Sequence, residues 1–325
     1  MRLPEHEVRR NAAGRGRVRE YRIILQRLLG LIGYNRDWAP YLIARYRRPA
    51  KGALTTYRLR NGQAIVVRDD ARFTLNEIYL DRVYDVAGVD WASCRSGLDL
   101  GANVGIFGLY VASRAPKAAI HCYEPESTNF AILERNLAQA GARARAYKMA
   151  VSAESGTGFL DIHGGSTEFA LSANGSGNGS ERVECVDLDR VFELAGVDAF
   201  DFVKMDIEGA ERDILARCSD AQLKRMRALS LEWHHPRAEL ETLAERFRRL
   251  GFRAEIEIVD GLAPEYETMA YRYYPKAAAE LWLARARAHV RQQARLTVRP
   301  AWARVLDVAT LSPELARVLT SEPHT

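Results

Sequence analysis

The sequence predicts an α/β protein of the doubly wound, Rossmann-like kind, a mostly parallel sheet with helices on both faces. Three observations predict it. From Ser96 onward, short apolar runs alternate with amphipathic helical stretches. A glycine turn, Gly101-Ala-Asn103-Val-Gly105, follows the first of these runs and opens a helix. Acidic residues stand at or just after the ends of later runs, at Glu124, Asp206 and Glu232. With 47% apolar and 27% charged residues in 325, the chain can bury a sizeable core and is not globally disordered.

Taken in order, residues 1–20 are polar and Arg-rich and predict a frayed end. Tyr21, Ile24, Leu25, Leu28, Leu29 and Ile32 recur at helical spacing, so a helix covers about 18–32 and stops near Gly30 and Gly33. Its apolar stripe has two candidate partners, its own domain or a second copy. Trp38–Tyr46 reads as a short helix before Pro49. Leu54–Arg60 and Gln63–Arg68 flank Asn61-Gly62, which predicts a hairpin closed by a type I′ turn with positive φ at both residues. Phe73–Val86 reads as a helix.

The alternating part then begins. Gly97–Leu100, Ala119–Tyr123 and Arg145–Val151 read as strands, with a helix over Ser127–Ala140 capped by Ser127. Ser152–Arg182 is a Gly-rich insertion containing Asn174-Gly-Ser-Gly-Asn-Gly-Ser180. Helices are expected at Asp187–Ala195, Glu208–Cys218 and Arg237–Leu250, and strands at Phe200–Met205 and Ala228–Trp233. The last two strands are expected at Phe252–Val259 and Thr268–Tyr274, followed by Ala/Arg-rich helices over 279–320. The expected units are a basic helical segment (1–52), a hairpin-and-helix cap (53–92), the sheet domain (93–275) and a helical extension (276–325).

The net charge of +5 is uneven: residues 1–60 carry +11 and residues 276–325 carry +4, which leaves −10 between them. Basic charge at the ends of an acidic body reads as solvated helices rather than a nucleic-acid surface. No apolar run reaches the roughly 18 residues that span a bilayer. The stretch around Arg27 lacks a cleavage site. Four widely spaced cysteines without a C-x-x-C pair argue for reduced thiols and a cytoplasmic setting.

Ligands of open parallel sheets bind beyond the carboxyl ends of the strands, where strand order reverses. In the turn after the first strand, Asp99 precedes Gly101, and Asn103 stands where a dinucleotide fingerprint has its second glycine. That glycine makes room for a pyrophosphate at the helix N-terminus. Asp99 repels phosphate and suits a cation. S-adenosylmethionine (SAM), a sulfonium on a nucleoside, fits both departures. Glu124, 19 residues beyond Gly105, is placed to accept from two ribose hydroxyls. Asp206 and Glu208 stand at the next strand-to-helix junction, where the helix dipole accounts for Glu211. Glu232 and His234 are two apart and share a side if their strand continues through them.

With these residues in view, Asp99-Leu-Gly-Ala-Asn-Val-Gly105, Tyr123-Glu-Pro125 and Val203-Lys-Met-Asp-Ile-Glu-Gly-Ala-Glu211 resemble the FkbM family of SAM-dependent methyltransferases. Asp187–Asp189 and the Glu77–Tyr84 segment also resemble its pattern, over about Arg60 to Glu257. The resemblance implies a class I methyltransferase fold, seven strands with the last antiparallel, and O-methylation of hydroxyls on natural products, sugars or glycans. It implies that Asp99, Gly101, Asn103 and Gly105 line the methionine portion of SAM and that Glu124 holds the ribose. Ala150 and Ser152 would border the adenine, and Asp206 would face the reacting centre. The 174–180 loop departs from the family's compactness and leaves the acceptor-side wall open.

Methyl transfer needs acceptor oxygen, methyl carbon and sulfur held in line, and a neutral hydroxyl must lose its proton. The expected base is His234, oriented by Asp206 or Glu232. The alternative is a divalent cation held by Asp206, Glu232 and His234. Rival readings are an NAD-dependent dehydrogenase, a nucleic-acid methyltransferase and a scaffold without cofactor. Asn103 argues against the first; the second lacks any Pro-Pro or Pro-Cys motif; the set Asp99, Glu124 and Asp206 argues against the third.

Overall fold

Short runs that are apolar on both faces cannot leave either face to water, so they pair side by side and are covered above and below. In the computed structural model, which describes residues 25–45, 52–68, 74–162, 169–172, 180–258 and 294–300, helix α1 (25–34) and helix α2 (Trp38–Arg45) come first. A hairpin of β1 (Leu54–Arg58) and β2 (Ala64–Arg68) and a short helix α3 (Thr74–Tyr79) complete the cap. The chain continues through β3 (Ser96–Leu100), α4 (Ile106–Arg114), β4 (Ala119–Tyr123), α5 (Ser127–Leu137) and β5 (Ala144–Tyr147). An excursion, β6 (Ala150–Val151), β7 (Gly156–Ile162), β8 (Phe169–Ser172) and β9 (Glu181–Val186), forms its own sheet in the order β6-β9-β7-β8. Then come α6 (Leu188–Ala195), β10 (Phe202–Met205), α7 (Glu211–Arg217), α8 (Asp220–Lys224), β11 (Leu229–Trp233), α9 (Arg237–Arg249), β12 (Phe252–Ile258) and β13 (Ala294–Pro300).

The main sheet has seven strands in the order β12-β13-β11-β10-β3-β4-β5. Only β13 runs antiparallel, to both β11 and β12. This is the class I methyltransferase arrangement. Strand order reverses between β3 and β10, so the crevice lies beyond Leu100 and Met205.

Register decides which side chains share a face. Asp99 pairs with Lys204 and Cys122, and Lys204 pairs with Ser230, so this row points one way. That face lies against α4 and the cap, in a core containing Tyr57, Ile65, Trp91, Phe107 and Phe202. The opposite row, Leu98, Val203 and Leu229, joins Phe192 and Phe247 beneath α6 and α9.

Several expectations are corrected. The last strand is β13, within the stretch read as helical, so the sheet extends past the boundary expected at 275. Ala294–Pro300 alternates small or apolar residues with Arg and Thr, a strand period masked by Ala/Arg-rich surroundings. The strand expected at Thr268–Tyr274 and the rest of the extension lie outside the described residues. Of the Asn61-Gly62 pair only Gly62 has positive φ (90°), and Leu59 N–H bonds Gln63 O, so the loop is three residues long and not type I′. The helix expected over 73–86 ends at Tyr79, and the chain turns through Arg82 at φ 52°. The cap of α5 is Glu126 and not Ser127; its carboxylate accepts from the Thr128 and Asn129 amides. On α1, Leu31 is buried while Leu25 and Leu29 are exposed. Among the described residues no helix is long and apolar enough to cross a membrane.

One buried histidine gives a pH test of the fold. His121 in β4 stacks on Tyr147, with Nδ1 3.0 Å from its hydroxyl. Burial, reinforced by Arg145, lowers its pKa to about 4. The folded value lies below the unfolded one, so the contribution is complete above about pH 6.5 and is lost as pH falls toward 4. Between pH 7.5 and 4.5 the wild type should lose about 2–3 kcal/mol more stability than His121→Gln. Equal losses, followed by urea unfolding at the two pH values, would show that His121 is not held neutral.

Candidate active site

The floor of the crevice is the turn after β3. Gly101 (φ 75°), Asn103 (φ 49°) and Gly105 (φ 82°) are all left-handed and carry the chain over the strand ends into α4. Asparagine is among the few non-glycine residues that tolerate this region. Asn103 also folds its Oδ1 back onto the Val104 amide at 2.7 Å, which keeps its side chain out of the crevice. Gly101 is required by packing. A Cβ there would lie 1.8 Å from the Asp206 carbonyl oxygen.

Glu124 directly follows β4 and is buried. Its Oε2 accepts from the Asn103 amide at 2.8 Å and its Oε1 from the Glu126 amide at 2.9 Å. Burial raises its pKa to about 7 against those two amides. Each oxygen keeps a second lone pair for a ligand hydroxyl. Asp99 sits beneath the floor, 1% exposed, with Oδ1 3.3 Å from Lys204 Nζ. Its environment also includes the Gly108 amide in the first turn of α4. The positive helix end that would attract a pyrophosphate therefore already faces a carboxylate. Burial pulls the Lys204 ammonium down, but Asp99 and Asp206 outweigh it and hold its pKa above the ordinary lysine value. Nζ also donates to Gly101 O at 2.7 Å, tying the floor to β10.

The wall opposite is built from the ends of β10 and β11. Asp206 and Glu232 follow the parity of Lys204 and Ser230, and His234 continues it, so the three expected catalytic residues converge. Among the described residues each offers one ligand atom, all within 4.8 Å of one another. His234 Nδ1 lies 3.0 Å from Glu211 Oε1. Because a carboxylate only accepts, Nδ1 is assigned the proton and Nε2 is turned toward Asp206 Oδ1 (3.9 Å) and Glu208 Oε2 (3.6 Å). Burial pulls the imidazole down, but the Glu211 hydrogen bond and the charges of Glu211, Asp206 and Glu208 raise it to about 9. Burial, then Asp206, raises Glu208 to about 8; the same causes raise Glu232.

Glu211 does more than meet the dipole of its helix. Fully buried, it accepts from the Ile207 and Gly209 amides and so also holds the 206–210 turn, in which Glu208 has φ 56°. Tyr84, Lys204 and Arg295 also belong to the site, beyond the residues expected from the sequence. Lys204 was readable by parity, two residues before Asp206; Tyr84 and Arg295 come from distant elements and gave no local signal. Ala150 and Ser152 stand apart from this wall. Ala150 is buried in β6, and Ser152 lines a separate groove of about 400 Å³ with Asp187, Arg217 and Gln222.

The crevice carries more carboxylates (Glu124, Asp206, Glu208, Glu232) than cations and has a floor without protruding side chains. A cationic nucleoside fits such a site: the spare lone pairs of Glu124 are acceptors for ligand hydroxyls, and the convergent carboxylates of Asp206 and Glu232 suit a positive charge.

Residues 99–254 match the methyltransferase FkbM domain. The chain is 29% identical over 230 residues to the AMB antimetabolite synthetase AmbE of Pseudomonas aeruginosa, covering 58% of this chain but 11% of that protein. It is 29% identical over 234 residues to the 31-O-demethyl-FK506 methyltransferase FkbM of Streptomyces tacrolimicus, covering 62% of this chain and 90% of the relative. Against the methyltransferase sdnD of Sordaria araneosa the identity is 28% over 211 residues, covering 54% and 81%.

Proposed function

We propose, from the premise that residues 99–254 are a SAM-dependent methyltransferase domain of the FkbM type, that the protein methylates a hydroxyl of a small natural product, sugar or glycan. The observation that carries this reading is the buried Glu211–His234 pair, which aims Nε2 at the carboxylates beside the glycine floor. SAM supplies, when bound, an electrophilic methyl group on a sulfonium. Glu124 holds the ribose hydroxyls, and the Gly101–Gly105 floor admits the donor without side-chain obstruction. Asp206, tied to the floor through Lys204, faces the reacting centre. His234 in its neutral form, whose share grows as pH rises toward its pKa of about 9, takes the acceptor's proton at Nε2, and Glu211 holds the imidazole in register and stabilises the imidazolium. Four free, buried cysteines support a reducing, cytoplasmic setting.

A second reading of acceptor activation is favoured by the convergence of Asp206, Glu232 and His234. A divalent cation there would lower the acceptor hydroxyl's pKa. One carboxylate-rich set with a single imidazole suits manganese or a similar first-row ion.

Calorimetry of the full chain with S-adenosylhomocysteine and with NADH tests the donor. Binding of the first at micromolar levels and not the second is expected; binding of NADH alone would overturn the reading. For activation, transfer from tritiated-methyl SAM to a panel of hydroxylated acceptors is run with and without EDTA. Turnover that survives EDTA supports activation by His234 alone, and turnover lost with EDTA and restored by Mn²⁺ supports a cation that lowers the hydroxyl's pKa so that its proton leaves to solvent or a neighbouring carboxylate.

A further inference from the structure

We infer that Tyr84, contributed by the cap and lying outside the 99–254 domain, is a positioning residue that sets the geometry of Asp206 and Glu232. This rests on the methyltransferase reading and adds to it that the family-matched segment alone does not make a complete site.

The geometry is specific. The Tyr84 hydroxyl lies 2.8 Å from Asp206 Oδ2 and 3.2 Å from Glu232 Oε2, and the residue is 8% exposed. A phenol has one proton, so two carboxylates from adjacent strand ends share one donor. Like charges this close move apart unless something holds them. The ring is itself fixed: it packs edge-on against Phe107 (5.5 Å, 75°), and Lys204 Nζ and the Arg295 guanidinium lie 5.1 and 5.8 Å from its centroid. Arg295, also outside the matched segment, reaches Glu232 at 3.7 Å from β13. The same row of charges thus runs from the donor floor (Gly101 O, Lys204) through Asp206 and Tyr84 to Glu232 and Arg295. A displacement of the cap would be felt first at the acceptor wall, where Tyr84 bonds both carboxylates directly.

The hydroxyl is superfluous to packing on Phe107, so Tyr84→Phe removes the shared donor and keeps the ring. Hydrogen bonds to charged groups are worth about 10- to 100-fold in an equilibrium. The expected result is a kcat for methyl transfer lowered about 30-fold, with the KM for SAM and the affinity for S-adenosylhomocysteine within about threefold of wild type. A kcat within threefold of wild type, or a loss of S-adenosylhomocysteine affinity in step with kcat, would overturn the inference. A second readout needs no methyl transfer and so stands or falls apart from the functional reading. The proton NMR spectrum of the wild type should show a slowly exchanging hydroxyl resonance that disappears in Tyr84→Phe and shifts in both Asp206→Asn and Glu232→Gln. A resonance indifferent to either carboxylate would show that Tyr84 does not bridge the pair.

Discussion

Gly101→Ala should lower S-adenosylhomocysteine affinity by at least about 100-fold and the melting temperature by on the order of 10 °C. Two effects add. Alanine at φ 75° costs about 1 kcal/mol or more in backbone strain. The larger effect is the approach of a Cβ to 1.8 Å from the Asp206 carbonyl oxygen and 2.9 Å from its carbon. The obstacle is backbone, so no rotamer relieves it; either the floor lifts or the end of β10 moves. Both displace the donor floor relative to Asp206, whose own amide bonds Leu100 O at 3.1 Å. Gly196→Ala is the control. Gly196 is also left-handed, at φ 67° and ψ 34°, but has open space around it, so it should lose only the strain, about 1 kcal/mol, and no affinity. Unchanged affinity in Gly101→Ala, measured by calorimetry, would mean the donor does not use this floor.

His234→Asn should leave S-adenosylhomocysteine binding within a few-fold and lower turnover by about 10²- to 10⁴-fold. Asparagine keeps a polar group of similar reach and removes the ring nitrogen that faces Asp206 and Glu208. The residue stands on the acceptor wall, away from Glu124 and the glycine floor, which is why binding and turnover should separate. The loss is expected whether Nε2 takes a proton or holds a cation, and EDTA sensitivity in the wild type tells those apart. Turnover near the wild-type rate with intact binding would remove His234 from the mechanism.

The donor side was largely legible in the sequence. Gly101, Asn103 and Gly105 lie within five residues, and their turn is set by local backbone preferences. Glu124 follows the next strand directly. The acceptor wall was legible only in part. Asp206, Glu232 and His234 could be read because strand parity places them on one face. Glu211 looked like an ordinary acid in a first helical turn, since nothing local shows that it is fully buried against His234. Ala150 and Ser152 came only with the family resemblance, and the structure places them in and beside the small second sheet. The seventh strand is hidden in the sequence because its alternation sits in an Ala/Arg-rich stretch, separated from the end of β12 by 35 residues. A strand's partner at that separation is chosen by the open sheet edge it meets rather than by its neighbours in sequence.

By itself the sequence determined the alternating α/β plan, the glycine floor suited to a cationic nucleoside, and the acids at the strand ends. Those properties follow from side-chain periodicity and from φ/ψ preferences that act over a few residues. Only the tertiary structure decided that Tyr84 from the cap and Arg295 from β13 meet Asp206 and Glu232, and that Glu211 orients His234. Such contacts depend on which strands become neighbours and on which face each buries, and a buried charge finds its partner through space, as Tyr84 does with Asp206 across 122 positions of chain.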